Sequence, residues 1–279
     1  MITITDLTFR YRESAEPTVR DINLTIPDGT FAGITGPAGS GKSTLTYLMN
    51  GIAPHCYPGD FYGSVMVEGM DTCEVSLTDI SAAVGSVCQD IDSQMVTGNV
   101  EDEILYGLEN FNVPKDQVEA RLAEALDQMG IADLRDRAIA GLSGGQKQKV
   151  AIASVIALHP AVLVLDEPTA ELDPASSVAV FELLRRYTRE HGTTVIVVEQ
   201  KIALLSEYAD RLLVMREGRV ALDGSPTEVL AHADELQRIG VACPRSTSLY
   251  LALTRAGAYA GPVCRNVPEA VRMCEEVLQ

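Results

Sequence analysis

The chain has 279 residues, a length that suits one large domain with a small appendage and a substantial buried core. Hydrophobic residues make up 46% and charged residues 22%, a composition typical of a globular protein. The formal net charge of −17 argues against a protein whose main partner is a nucleic-acid backbone, because such partners favour clustered Lys and Arg. Local basic patches and contact with a membrane protein remain compatible with this net charge.

No stretch predicts a membrane span. The most apolar one, residues 150–165, is interrupted by His159 and Pro160 and falls short of the ~18–20 apolar residues that a spanning helix needs. The first residues lack a basic region followed by an apolar core, so no secretion signal is predicted. The six cysteines form no CxxC pair, which favours free thiols in a reducing cytosol over disulfides or metal ligands. We therefore expect a cytosolic protein.

Before residue 70 the periodicity predicts strands, one helix and one loop. Alternating apolar residues and short apolar runs predict strands at residues 2–9, 19–26, 31–35 and 64–68. The first two are expected to pair antiparallel. A helix is predicted from Lys42 to about Gly51, and residues 58–63, which contain Pro58, Gly59 and Gly63, predict a loop.

The rest of the chain alternates between helices and strands. Helices are predicted at 114–130, after Leu142 and at 175–189, and strands at 84–88, 161–165 and 193–198. This alternation predicts an α/β fold with a mainly parallel sheet covered by helices. We expect a domain over 1–236, with a helical subdomain inserted at about 99–160, and a small C-terminal extension over 237–279 with a helix at 268–278.

A glycine-rich stretch follows the strand at 31–35 and opens the next helix. Its pattern is Gly36-x-x-x-x-Gly41-Lys42-Ser43, and in that context it predicts a P-loop rather than a turn without a ligand. Backbone N–H groups and the helix N-terminus would hold phosphates, Lys42 would reach the β- and γ-phosphates, and Ser43 would bind Mg²⁺. The predicted ATP-binding residues are Gly36, Pro37, Ala38, Gly39, Ser40, Gly41, Lys42, Ser43 and Thr44.

Two acids end the apolar strand at 161–165. Asp166 would hold Mg²⁺, usually through water, and Glu167 would take a proton from the attacking water or orient it. Two solvated acids at a strand end are the alternative. The P-loop favours the catalytic interpretation, since parallel sheets bind ligands at the carboxyl ends of their strands.

Between these two motifs stands Leu142-Ser143-Gly144-Gly145-Gln146, at a predicted helix start. Serine and two glycines there can simply cap the helix or can offer a second anion site of N–H groups. In this order, the three motifs resemble the ATP-binding cassette (ABC) ATPases, and the resemblance extends to about Pro226. It implies that Ser143, Gly144, Gly145 and Gln146 close on the γ-phosphate bound to another cassette, so that two cassettes enclose two ATP molecules.

Further positions match this family. The resemblance implies that Gln89, after the strand at 84–88, senses Mg²⁺ and water, and that Leu172 and Asp173 belong to the D-loop at the seam between cassettes. It also implies that Tyr11 stacks on adenine, although a surface tyrosine in a turn is the alternative. At the position of the family's γ-phosphate histidine, this chain has Gln200.

Gln200 sets this chain apart from the family pattern. An amide can donate a hydrogen bond to phosphate, but it cannot carry the charge or exchange protons as imidazole does. The hypothesis is that the P-loop site binds ATP but turns it over slowly, or depends on a partner cassette. Catalysis is thus expected from Glu167, Gln89 and Gln200, and Mg²⁺ binding from Ser43, Gln89 and Asp166.

Several stretches resemble the ATPases of energy-coupling factor importers, which take up vitamins, cobalt or nickel. They include Asp92-Ser93-Gln94, residues 58–63, residues 106–110, and 100–104, whose acids Glu101 to Glu103 could equally be a solvated helix start. The resemblance implies a second cassette, identical or homologous, and a substrate-binding membrane protein. It also implies a transmembrane coupling protein, received in a groove that Gln89 and the helical insert form. The chain would then be peripheral on the cytoplasmic face of the membrane and would bind no nucleic acid.

Three alternatives belong to other classes. One is a mainly regulatory cassette with slow hydrolysis, paired with an active homologue. Another is the ATPase of a different ABC importer or exporter. A soluble cassette acting on DNA or ribosomes is the third, although such chains usually carry coiled-coil inserts or two cassettes.

Overall fold

A computed structural model describes residues 1–278, which form two sheets and the helices around them. The strands are Ile2–Tyr11 (β1), Val19–Ile26 (β2), Phe31–Thr35 (β3), Gly59–Val67 (β4), Met70–Asp71 (β5), Val84–Val87 (β6), Val162–Asp166 (β7), Thr194–Val198 (β8), Arg211–Arg216 (β9) and Arg219–Gly224 (β10). The helices are Lys42–Met49 (α1), Ile52–His55 (α2), Leu77–Ala83 (α3), Ile91–Gln94 (α4), Val100–Asn110 (α5), Lys115–Gln128 (α6), Gly144–Ile156 (α7), Pro174–His191 (α8), Ile202–Tyr208 (α9), Pro226–Ala231 (α10), Ala233–Ile239 (α11), Arg245–Arg255 (α12) and Val267–Val277 (α13).

The larger sheet has the order β10-β9-β3-β8-β7-β6, and only β10 runs antiparallel to its neighbour. Every residue of β3, β7 and β8 is buried, as expected for apolar strands covered on both faces. The smaller sheet, β2-β1-β4-β5, is antiparallel. The predicted α/β fold with an N-terminal antiparallel part is thus confirmed.

Residues 58–63 do not form the predicted loop, because from Gly59 onward they belong to strand β4. Phe61 pairs with Phe9 of β1, and the register shifts where Gly63 stands opposite residues 6–7. Gly63 has φ 84°, and a Cβ there would lie 2.3 Å from the carbonyl oxygen of Thr5. The glycine therefore marks an irregularity inside a strand, and pairing with β1 overrides its local preference for a turn.

The core lies on both faces of the larger sheet. On β8, Val195 and Val197 pack in a cluster with the helical segment, whereas Ile196 and Val198 pack with α1 and the antiparallel sheet. Leu122 and Leu126 of α6 belong to the first of these clusters. The helices inserted between β6 and β7 thus share a continuous core with the sheet that carries the site.

The C-terminal helices α12 and α13 pack on each other around a small cluster of Cys264, Ala270 and Met273. Helix α13 confirms the helix predicted at 268–278. The proposed boundary at residue 236 lies inside α11, and the division into 1–236 and 237–279 stays a proposal. Within residues 1–278, no helix is long and apolar enough to cross a membrane.

Candidate nucleotide-binding site

The P-loop connects β3 to α1 in a conformation that requires glycine. Gly36 has φ 148°, and a Cβ there would lie 2.3 Å from the carbonyl oxygen of Met215. Gly41 has φ 96°, with the carbonyl oxygen of Thr18 at 2.7 Å from the same added atom. Neighbouring backbone atoms thus occupy the space that a Cβ would need at the glycines that begin and end the loop. Neither position accepts a side chain without rearrangement.

Donor groups face an anion site at this loop. Helix α1 begins after Gly41 without a side-chain cap, which leaves its first N–H groups without intrahelical partners. Among residues 1–278, Ser40 Oγ is one of three buried side-chain nitrogen or oxygen atoms that lack a hydrogen-bond partner. Lys42 Nζ donates to the carbonyl oxygens of Gly36 and Pro37, both at 2.9 Å. Burial lowers the pKa of Lys42, while Glu167 and Asp166 act in the opposite direction. This arrangement fits a polyphosphate.

Oxygen ligands suited to Mg²⁺ lie beside the loop. Asp166 ends β7 with only 6% of its surface exposed. Burial raises the pKa of this carboxyl, and a hydrogen bond with Ser43 opposes the rise. A hydroxyl and a carboxylate side by side are the hard oxygen donors that Mg²⁺ prefers. Of the three predicted metal ligands, the structure therefore brings Ser43 and Asp166 together, while Gln89 contacts the neighbouring Glu167.

Glu167 is held between two amide side chains. Its Oε2 accepts a hydrogen bond from Gln89 Nε2 at 3.2 Å, and its Oε1 accepts one from Gln200 Nε2 at 2.6 Å. The three predicted catalytic residues thus converge on one carboxylate, although they come from the ends of three different strands. A carboxylate fixed in this way can use its remaining lone pairs to accept a proton from water or to orient it.

Tyr11 ends β1 and is half-buried against α1. Its hydroxyl lies 3.0 Å from Thr44 Oγ1, and its ring meets that of Phe9 edge to face at 4.9 Å. Burial raises the pKa of the Tyr11 hydroxyl. The ring is therefore fixed beside the first turn of α1, next to the predicted phosphate ligands, instead of lying free in a surface turn.

The signature stretch begins α7 with a capping box. Ser143 Oγ accepts from the N–H of Gln146 at 3.3 Å, and Gln146 Oε1 accepts from the N–H of Ser143 at 3.0 Å. Ser143 is exposed and its hydroxyl proton remains free to donate. Within residues 1–278, no hydrogen bond joins 143–146 to 36–44. Capping and anion binding are thus compatible at this helix end.

The signature glycines lie against Leu172 of the predicted D-loop and against Glu171, which precedes it. A Cβ on Gly144 would lie 2.9 Å from Glu171 Oε2, and one on Gly145 would lie 2.9 Å from Leu172 Cδ2. The two segments predicted to meet a second cassette therefore touch each other in this chain.

Two buried carboxylates were missed by the sequence argument. Glu199 is only 2% exposed and accepts hydrogen bonds from the N–H groups of Gln200 and Lys201. Glu103 is 6% exposed and accepts from the N–H groups of Val96 and Thr97, so the solvated interpretation is wrong for this acid. Glu199 could have been suspected by analogy with Glu167, because both acids directly follow a buried strand of the larger sheet.

A groove of about 810 Å³ opens between Gln89, the short helix α4 and the start of α7. Its lining is acidic and aromatic. Among the described residues that line it, Lys147 is the only lysine or arginine, and it pairs with Asp92 at 2.7 Å. The residues that give it this character are Tyr47, Tyr57, Asp90, Asp92 and Glu171.

Comparison with known proteins identifies the family. A putative ABC transporter ATP-binding protein of Pyrococcus horikoshii is 41% identical over 257 residues, which cover 92% of this chain and 90% of that protein. A protein of the same description from Streptomyces avermitilis is 41% identical over 265 residues, but the match covers only 47% of its length.

Solved structures show the same fold. The structure of cbiO1 from Clostridium perfringens, described as part of the ABC transporter complex cbiONQ, matches with a TM-score of 0.75 and 33% identity over 88% of this chain and 96% of that one. The dimeric bacterial ABC transporter cassette MJ0796 matches in fold, with a TM-score of 0.72 and 24% identity. Residues 19–170, which hold the P-loop, the signature and Glu167, match the model of the ABC transporter family. The chain belongs to this family as an ATP-binding protein.

Proposed function

We propose that the chain hydrolyses ATP to energise a membrane importer of the energy-coupling factor type, which takes up a vitamin or a transition metal. The convergence of Gln89, Glu167 and Gln200 beside the P-loop carries the hydrolytic part of this proposal. Similarity to cbiO1, described as part of a cbiONQ complex, supports the importer type. The stretches around Asp92 and Glu103 that resemble such ATPases support it further.

The residues of the site divide the work. Ser43 and Asp166 would hold Mg²⁺, which would neutralise charge on the phosphates. Lys42 would exchange its two carbonyl contacts for phosphate oxygens, and Tyr11 would stack on the adenine. Glu167 would orient the attacking water and accept its proton.

Partners complete the machine. Ser143 to Gln146 would bind the γ-phosphate on a second cassette, which is either another copy of this chain or a homologue. The groove beside Gln89 would receive a transmembrane coupling protein, and its acidic, aromatic lining is complementary to a helix that carries basic residues. A separate membrane protein would bind the solute, and this chain would act on the cytoplasmic face of the membrane without nucleic acid.

The test is purification from the source membranes in mild detergent. We expect the chain to copurify with a transmembrane coupling protein and a solute-binding membrane protein, and the complex to hydrolyse ATP. Glu167→Gln is expected to lower turnover about 100-fold or more while ATP binding persists, because only the residue acting on water is changed. Recovery mainly with ribosomes or DNA would overturn the transport proposal, and membrane partners of another kind would overturn the importer type.

A slowly hydrolysing, regulatory cassette is a second candidate. One observation favours it: the Gln200 amide donates to Glu167 at 2.6 Å, so it competes with water for the carboxylate on which hydrolysis depends. In that case a homologous partner cassette would supply most of the turnover, and the signature of this chain would serve the partner's ATP.

A further inference from the structure

Three residues connect the end of β8 to the segment that leads into the D-loop. Glu199 Oε2 accepts a hydrogen bond from the hydroxyl of Thr169, a residue with no exposed surface. Lys201 Nζ donates to the carbonyl oxygen of Thr169 at 2.7 Å and lies 3.4 Å from its hydroxyl oxygen. We call Glu199, Thr169 and Lys201 the brace.

The brace satisfies a buried charge. A carboxylate removed from water is costly unless hydrogen bonds replace its hydration. Glu199 receives three: the Thr169 hydroxyl, the N–H of Gln200 at 2.9 Å and the N–H of Lys201 at 3.2 Å. The Lys201 ammonium provides an opposite charge 3.4 Å from the same Thr169 hydroxyl. Because a fully satisfied buried network is rigid, we expect residues 199–201 and Thr169 to move as one unit.

Each end of the brace leads to a different ATP. At one end, Gln200 follows Glu199 directly, and its side chain contacts Glu167 at this chain's own P-loop. At the other end, the carbonyl oxygen of Thr169 accepts from the N–H of Leu172 at 3.3 Å. Leu172 packs against Gly145 of the signature, which would serve the ATP of the second cassette.

We propose that the brace positions the Gln200 amide on Glu167 and couples it to the D-loop, so that hydrolysis at the P-loop is linked to the signature of the same chain. This rests on the proposed ATPase function. Glu199, Thr169 and Lys201 act as positioning residues, since their polar groups contact one another, the backbone and the Ser177 hydroxyl rather than the predicted ligands of ATP. The substitutions that test the brace most cleanly are at Thr169, where a methyl group can replace the hydroxyl at nearly constant volume.

In the assembled complex, Thr169→Val is expected to lower kcat for ATP about 10-fold with KM changed less than about twofold, because a misplaced Gln200 affects hydrolysis more than binding. Thr169→Ser keeps the hydroxyl and is expected to restore kcat to within about twofold. Thr188→Val is the matched control: it also removes a buried hydroxyl, bonded to the carbonyl oxygen of Leu184, but outside the brace. We expect it to lower thermal stability and leave kcat unchanged.

A double-mutant cycle tests the route. In a Gln200→Ala background, the effect of Thr169→Val on kcat is expected to shrink from about 10-fold to less than about twofold, because the amide that Thr169 is proposed to position is absent. An unchanged 10-fold effect in that background would show that Thr169 does not act through Gln200 and would overturn the proposal. Failure of Thr169→Ser to restore kcat would also contradict it.

Hydrogen exchange separates this proposal from the ATPase function. In the full chain, Thr169→Val is expected to speed exchange of the N–H groups of Gln200, Lys201 and Leu172 by about 10-fold or more, and Thr169→Ser to restore protection. A wild-type complex without ATPase activity would contradict the proposed function. The hydrogen-exchange rates would then test the brace without reference to activity. Unchanged exchange at 200–201 in Thr169→Val would overturn the brace whatever the activity.

Discussion

Glu167 has a left-handed backbone conformation, with φ 50°, that is uncommon for a residue with a side chain. Its N–H donates to the carbonyl oxygen of Val198 at 2.9 Å, which fixes the turn after β7 to the end of β8. Such a conformation costs on the order of 1 kcal/mol and persists only where the surroundings enforce it. Here it places the carboxylate between the amides of Gln89 and Gln200, consistent with its proposed role.

Gln200→His tests whether the amide limits turnover. Imidazole can carry charge toward the γ-phosphate and exchange protons, so we expect kcat for ATP in the assembled complex to rise about 3- to 10-fold. Steady-state turnover at saturating ATP measures it. Gln200→Asn is a useful control, because it keeps an amide but shortens its reach to Glu167. Equal turnover of wild type and Gln200→His would argue against a slow site caused by Gln200.

Gly36→Ala tests the geometry of the P-loop. A Cβ at Gly36 would lie 2.3 Å from the carbonyl oxygen of Met215, so the backbone itself must shift, and we expect ATP binding to fall at least about 10-fold. Gly39→Ala is the matched control, because Gly39 also has positive φ, 74°, but nothing lies within 4 Å of its added Cβ. Titration with a fluorescent ATP analogue compares them, and equal losses would contradict a steric cause at Gly36.

At the scale of elements, a single buried side chain, Glu103, fixes the connection between two helices. Its carboxylate accepts hydrogen bonds from the N–H groups of Val96 and Thr97 and from the Thr97 hydroxyl, and so closes the link between α4 and α5. Glu101, two residues earlier, instead faces outward and pairs with Arg135 at 2.6 Å. The acid cluster at the start of α5 therefore has two distinct functions.

Glu103→Ala is expected to lower the free energy of unfolding by about 2–4 kcal/mol, because it leaves buried N–H groups without a hydrogen-bond acceptor. Glu101→Ala removes a half-exposed ion pair and is expected to cost less than about 1 kcal/mol. Urea unfolding followed by circular dichroism measures both. A Glu103→Ala cost as small as that of Glu101→Ala would show that water or the loop itself replaces the lost hydrogen bonds.

Asp210 connects β3 to α8 through the N–H of Phe31 and a two-point contact with Arg185. Burial acts to raise the pKa of this carboxyl, but Arg185 and the Phe31 N–H outweigh it and hold the pKa below its ordinary value of 3.8. A depressed folded-state pKa adds stability that is fully present above the unfolded-state value and is lost as pH falls through the folded-state value.

Asp210→Asn is therefore expected to destabilise the protein by about 1–2 kcal/mol at neutral pH, a modest cost because the side chain is partly exposed. The difference from wild type should shrink as pH falls below 3.8. Urea unfolding across pH provides the measurement. A difference that stays constant into this acidic range would contradict the charge-based explanation.

Within residues 1–278, no hydrogen bond joins the P-loop to the signature. In the proposed assembly, the signature would bind a γ-phosphate that a second cassette supplies. With a net charge of −17, two such chains repel each other, so their association requires close contacts that the bound nucleotide would make to both chains. Association should therefore depend strongly on the nucleotide.

The Glu167→Gln variant is expected to hydrolyse ATP slowly, and in this variant ATP is expected to join two cassettes. Sedimentation of the purified chain, alone and with its copurifying homologue, measures the association. Ser143→Arg places a bulky side chain at the signature and is expected to weaken this association at least about 10-fold. Association that is insensitive to both ATP and Ser143→Arg would contradict a sandwich of two ATP molecules between cassettes.

The sequence by itself determined the family and the parallel strands, and it located the three motifs that are proposed to bind phosphate. These are local signals: apolar runs define buried strands, and contiguous motifs carry their own backbone requirements, as Gly36 and Gly41 do. Only the tertiary structure decided that residues 59–63 form a strand, that Glu103 is buried, and that Glu199 connects to Thr169. Each of these depends on a contact made elsewhere in the chain: Thr169 stands thirty residues before Glu199, and β4 exists because β1 pairs with it. A short sequence window does not contain the partner that removes a carboxylate from water or completes a strand's hydrogen bonds.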